Sequence, residues 1–205
     1  MTSASERRQH FSAATKQSLV DVAQGLFALH GYAGTSLEAI VAGAEVTKGA
    51  LYHHFTGKQA LFEAVFARVE ERAAQRIQGV IDAERDPWLR AEAGLRTFLD
   101  IVRTPDYLRI VVQDGPAVLG YERYREREER TAYAVVSDIV GEVFAHDGRG
   151  LDPGLADTFA RLFVGALSSV GSAVGDAADP DAEAARVEAA VGLVLAGLRT
   201  VAAAH

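Results

Sequence analysis

The chain has 205 residues, 49% of them hydrophobic and 24% charged, which excludes a mainly disordered chain and leaves one large domain or two small ones. It contains no cysteine, so disulfides, thiolate nucleophiles and cysteine-ligated metal sites are excluded. The net charge of −7 argues against a nucleic-acid binder that works with its whole surface, but the three lysines, Lys16, Lys48 and Lys58, all lie near the start of the chain.

The first residues, Met1 to His10, carry no apolar run of the secretory kind. Arg7 and Arg8 fit a frayed terminus better than an arm reaching into a minor groove. A helix follows, with Leu19, Val22, Ala23, Leu26 and Phe27 at the spacing of one buried face. His30-Gly31 ends it, glycine being suited to a left-handed cap. Thr35-Ser36-Leu37-Glu38 reads as a capping box, in which Thr35 caps the next helix and Glu38 reaches back. Leu37, Ile40, Val41 and Ala44 give that short helix one apolar side. Thr47 can cap a third helix running to His54, with Leu51 and Phe55 turned inward. Thr56-Gly57-Lys58 opens a longer helix with Leu61, Phe62, Val65, Phe66 and Val69 on its inner side.

Prolines punctuate the rest, at Pro87, Pro105, Pro116, Pro153 and Pro180. Asp86, Asp152 and Asp179 precede three of them and Thr104 a fourth, the pattern of a cap followed by a first helical residue. Asp114-Gly115 before Pro116 is a turn signal. Each proline is expected to open a helix. No segment alternates with period two, so the expectation is an all-α chain of about nine helices. No stretch reaches the roughly 18 uncharged apolar residues that span a bilayer. The nearest, Leu162 to Gly175, carries three serines between Arg161 and Asp176. A cytoplasmic protein with no membrane partner is expected.

Two short helices meeting near Gly43 to Val46 suit a helix-turn-helix, whose second helix reads DNA. Thr47, Lys48, Tyr52, His53 and His54 are left to point outward from that helix, and Gly49 lets the backbone come close. Lys58 sits where free N–H groups at a helix start would also meet a phosphate. Adjacent His53 and His54 point about 100° apart, against the i, i+4 spacing of helical metal ligands. No metal and no cofactor is expected.

Gly31-Tyr32, Thr35-Ser36-Leu37, Val46 to Phe55, Lys58 and Ala60-Leu61-Phe62 resemble the DNA-binding domain of TetR-family transcriptional regulators, without a gap over roughly residues 15–65. The segment from Arg109 to Arg125 resembles C-terminal domains of some actinobacterial members. The resemblance implies an N-terminal three-helix DNA-binding domain, residues 1–58, and a helical ligand-binding and dimerisation domain, residues 59–205. It implies a homodimer on double-stranded operator DNA of roughly palindromic sequence, usually a repressor released by a small molecule. By motif position, Tyr52 and Lys58 would bind phosphates, and Thr35 or Ser36 would do the same. Lys48, Gly49 and His53 would face bases or the groove wall, with His54 at the backbone edge. An activator, and a ligand- or protein-binding helical module that no longer binds DNA, stay open beside it.

In the C-terminal part, small residues interleave with large apolar ones from Gly154 to Gly175 and from Glu183 to Ala203. A helix apolar on most sides must be buried on most sides. A four-helix dimer interface is expected through Phe159, Leu162, Gly165, Ala166, Ser169, Val191, Leu195 and Leu198. An intrachain hairpin is the alternative. A ligand cavity is expected among the middle helices. Its aromatic candidates are Trp88, Phe98, Tyr107, Tyr121, Tyr124 and Phe163, and its polar ones Arg109, Gln113 and Asp114. The helix at Pro105 and the one from Lys58 are the expected lever between domains. There is no G-x-S-x-G elbow, no H-E-x-x-H pair and no complete phosphate loop, so no catalytic residue is assigned.

Overall fold

The computed structural model describes residues 4–146 and 152–203. Among them there is no strand. The helices are α1 (Ala4–Gly34), α2 (Leu37–Gly43), α3 (Lys48–His54), α4 (Lys58–Ala83), α5 (Pro87–Val102), a π-helical segment (Tyr107–Asp114), α6 (Gly115–Leu119), α7 (Tyr121–His146), α8 (Pro153–Asp176) and α9 (Pro180–Ala203). The side chains of Arg7 and Arg8 lie outside the described residues.

The chain divides into two compact units, one formed by Met1–Glu70 with Pro105–Leu119, the other by Glu71–Thr104 with Gly120–His205. The first therefore holds more than residues 1–58: it keeps the front of α4 and takes in the π segment and α6. α4 runs on from one unit to the other without a break.

In the first unit Leu19, Ala23, Phe27, Ile40, Leu51, Leu61, Phe62, Val65 and Phe66 are fully buried. The centroid of the Phe62 ring is 5.3 Å from that of Phe27 and 5.2 Å from that of Tyr32, both edge to face, an arrangement that adds to the value of burying the rings. Gly31 breaks α1 with φ +70°, as the sequence predicts. A side chain there would collide with the Arg109 guanidinium. Arg68 crosses back from α4 to the Val20 carbonyl at 2.9 Å and pairs with Asp21.

Pro87 and Pro153 open their helices behind Asp86 and Asp152, whose carboxylates accept backbone N–H groups, and Asp179 serves α9 in the same way. Helical structure also begins at Pro105, but without the expected Thr104 cap, and the expectation of a new helix fails at Pro116. The Thr104 hydroxyl donates to the Ile101 carbonyl at 2.7 Å, and the Asp106 carboxylate caps the π segment at the Tyr107 N–H instead. Asp114-Gly115 makes no turn: Gly115 is helical at φ −51°, ψ −54°, and the chain passes from π to α through Pro116. A proline ring crowds the carbonyl one turn back, and the wider π turn preceding it gives that carbonyl room.

In the second unit Trp88, Val143 and Leu195 form a buried cluster, with Ala91, Ile139, Val191 and Leu198 packed against it. Ile81 lies against Gly94, where an added Cβ would come within 3.3 Å of its Cδ1. Among the described residues one helix, α8, is long and apolar enough to cross a membrane by length and composition. It exceeds the stretch expected from the sequence because the helix starts at Pro153 and tolerates a few charges.

Candidate DNA-reading face

The exposed face of α3 is set by two helix caps and one turn. The Ser36 hydroxyl accepts the Ala39 N–H at 3.1 Å and so caps α2. The cap is therefore one residue later than the predicted Thr35. Thr35 is 3% exposed, and its hydroxyl lies 2.8 Å from the Gly31 carbonyl and 3.1 Å from that of Leu26. The break at Gly31 frees carbonyls that need a donor, and Thr35 supplies it. A buried hydroxyl cannot reach a phosphate, so of the pair only Ser36 remains a candidate contact. Thr47 caps α3 as expected, accepting the Ala50 N–H at 3.1 Å.

Between α2 and α3 the chain turns through Ala44-Glu45-Val46. The Glu45 N–H donates to the Ala42 carbonyl and the Val46 N–H to the Val41 carbonyl, each at 3.2 Å. This is the Schellman ending of a helix, with its left-handed residue at Glu45, φ 54°. The close approach is made next door at Gly43, where an added Cβ would fall 2.8 Å from Val22 Cγ1.

α3 is anchored by Leu51 and Phe55, both buried, which leaves Thr47, Lys48, Gly49, Tyr52 and His53 exposed and His54 half-buried. Tyr52 is 52% exposed. An added Cβ at Gly49 would meet nothing closer than Thr47 Oγ1 at 3.9 Å. The protein's own packing does not require a glycine there; the space is open toward the outside. The rings of His53 and His54 meet edge to face at 5.1 Å. Partial burial, then the neighbouring His53 and Lys16, hold the His54 imidazole below the ordinary histidine range. Lys48 donates to Glu38 at 2.8 Å.

Lys58 is placed differently from the expectation of a free phosphate ligand. Its ammonium donates to the Thr35 carbonyl at 2.6 Å and stands 4.3 Å above the Tyr32 ring. It ties the start of α4 to the end of α1. Two of its three N–H bonds remain beyond that contact. Among the described residues no group of three or more His, Asp or Glu side chains could hold a metal ion.

Sequence reasoning missed how the π segment is fastened within this unit. Asp114 accepts the Tyr32 backbone N–H at 2.7 Å and lies 3.5 Å from Arg109, Asp106 accepts from Gln24 at 3.0 Å, and Gln59 donates to the Val118 carbonyl at 3.2 Å. Asp114 was expected in a ligand cavity; its carboxylate is committed instead to the N–H that the Gly31 break leaves free. Gln113 is exposed and accepts from Arg109 at 3.2 Å. No sequence period links residues 24 and 106 or 32 and 114, so this fastening has no local signature.

In the second unit two further expectations change. Trp88, expected to line a cavity, is 4% exposed in the core cluster, and Tyr121 is 63% exposed beside Arg125. Phe98 approaches Gly171, Tyr124 is buried and Phe163 half-buried. Of the expected dimer residues, Leu162, Gly165, Ala166 and Ser169 share one exposed face of α8. Phe159 packs its ring on Phe144 at 5.4 Å, and Val191, Leu195 and Leu198 fill the cluster around Trp88. The outward face of α9 is Ala189, Leu193, Ala196, Gly197 and Thr200 instead. α9 is apolar nearly all round, so its sequence could not say which side faces in.

Residues 19–65 match the family model of bacterial regulatory proteins of the tetR family, and residues 88–198 match the tetracyclin repressor-like C-terminal domain. The chain belongs to the TetR family. Among curated relatives, the TetC protein of transposon Tn10 from Escherichia coli is 30% identical over 146 residues, 70% of this chain and 72% of that protein. The probable acrEF/envCD operon repressor of Escherichia coli K12 is 31% identical over 133 residues, 62% of this chain and 56% of that one. A TetR-family transcriptional regulator from Pectobacterium atrosepticum has a similar structure, with TM-score 0.79 and 28% identity over 92% of this chain and 96% of that one. TetR-family membership makes this a DNA-binding helix-turn-helix transcription regulator and not an enzyme. In helix-turn-helix units the second helix is the one that enters the major groove, and α3 holds that position in the chain.

Proposed function

We propose that the protein is a homodimeric TetR-family repressor that binds a roughly palindromic operator and leaves it when a small molecule binds the helical part. The reading rests on one observation above all: α3 is held by buried Leu51 and Phe55 while Lys48, Tyr52 and His53 stand exposed beside an open Gly49. Tyr52 and Ser36 contact phosphates, Lys48 and His53 face base edges, Gly49 meets the groove wall and His54 the backbone edge. Thr47 still has its hydroxyl hydrogen to donate, and Lys58 its two unused N–H bonds. Residues 1–58 supply the DNA contacts and residues 59–205 dimerisation and ligand binding.

The exposed faces of α8 and α9 support the dimer, since large apolar patches on a soluble chain mark interaction surfaces. The ligand candidates that keep this role are Phe98, Tyr124 and Phe163. Covalent links from the second unit into the first run through α4 and through both ends of Pro105–Leu119. A ligand acts only by binding one conformation more tightly than the other.

Binding selection from a random duplex pool tests the proposal. Recovery of a palindrome with half-sites about 34–36 Å apart, one helical turn, is expected. Sequence-blind binding, or none, would favour a helical module without DNA reading.

A further inference from the structure

Glu38 is the second residue of α2 and Lys48 the first of α3, and their side chains meet across the turn at 2.8 Å on the face where α3 is exposed. Both remain open to solvent, with side-chain exposures of 70% and 58%. An exposed ion pair adds little to stability. Its placement on a face that must meet a polyanion therefore asks for another reason. A carboxylate there is repelled by phosphates, and a lysine tied to it is half-neutralised as a phosphate ligand. Over base edges the same pair is well suited. The bond to Glu38 uses one of the three N–H groups of Lys48 and leaves two to fork onto O6 and N7 of a guanine. The carboxylate can meanwhile accept from the N4 amino group of a cytosine.

We propose that Glu38 is a specificity-determining residue, which holds Lys48 over base edges and makes the pair a reader of one G·C base pair in each half-site. Glu38 acts in two ways: its carboxylate accepts from the cytosine, and it denies Lys48 the neighbouring phosphates, to which a free lysine would swing. This rests on the DNA-reading role of α3 proposed above.

The test compares wild type, E38Q, E38D and K48Q. Each is taken through selection from a random duplex pool and then titrated against the wild-type duplex, its single-pair variants and a random duplex at 50–200 mM salt. Wild type is expected to select a G·C pair at one position of each half-site, and K48Q to lose that preference. E38Q should weaken the preference at the same position by about tenfold, the scale of a good base contact. It should also bind random duplex more tightly, with a salt slope steeper by about 0.9, as one phosphate contact is added. E38D keeps the charge and should keep the preference. If E38Q keeps the wild-type preference, or gains equally on all sequences with an unchanged profile, Glu38 is only a general repulsive charge and the proposal is overturned. If wild type selects no site at all, the DNA-reading role fails and this proposal with it. Helical circular dichroism of each variant separates these outcomes from misfolding.

Discussion

The first unit buries Phe27, Phe62 and Phe66 completely, whereas the second leaves Leu162 65% and Leu193 76% exposed. The first turns Lys48, Tyr52 and His53 outward on α3 and keeps Phe27, Phe62 and Phe66 in, with Phe11 and Leu29 exposed on α1. The second sets Trp88, Leu195 and Leu198 inside and carries a second apolar surface outside. A unit that meets DNA needs rigid caps and exposed donors. One that meets another copy of itself needs apolar area that its own fold does not cover. Under the proposed function the two surfaces serve two purposes, and substitutions should separate them.

The largest effect is expected at Phe62, in contact with Phe27 and Tyr32. Phe62→Ala should lower the stability of the first unit by about 3–5 kcal/mol in urea unfolding, because the cavity cannot close around so many rings. Leu193→Lys should leave helical content unchanged and yield a monomer by light scattering. Its operator affinity should drop by at least ~100-fold, the avidity lost when two half-sites are no longer bound together. A stable dimer of Leu193→Lys would move the interface elsewhere.

Smaller effects sharpen the reading side. Glu45 sits at φ 54°, where a side chain costs about 1–2 kcal/mol, so Glu45→Gly should raise the melting temperature with DNA affinity retained. His54 gives the smallest effect. Its free-state value lies below the ordinary range, so folding stability is intact at neutral pH and declines as pH falls through that lowered value. Nearby phosphates would favour the protonated form. Operator affinity should therefore rise as pH falls through the histidine value of the complex, and His54→Gln should flatten that profile.

Much of this contrast was legible beforehand where signals are local. The break at Gly31, the cap at Thr47 and the inward Leu51 and Phe55 follow from neighbouring residues alone. The cap of α2 was misplaced by one residue because Thr35 and Ser36 are both good caps, and only the carbonyls freed at Gly31 decide between them. The intramolecular partners of Asp114 and Lys58, the Tyr32 N–H and the Thr35 carbonyl, have no local signal because they are backbone groups distant in sequence. α9 defeats periodicity: with Val191, Leu193, Val194, Leu195 and Leu198 spread around it, only packing on Trp88 selects a side.

Under the proposed function α3 reads DNA in two copies held together through the outer faces of α8 and α9. Hydroxyl-radical footprinting of the selected duplex, with wild type and Leu193→Lys side by side, tests it most directly. Two protected patches about 10–10.5 base pairs apart are expected for wild type, and weak or absent protection for the variant at the same protein concentration. A single patch for wild type, or an identical double footprint from the variant, would contradict it.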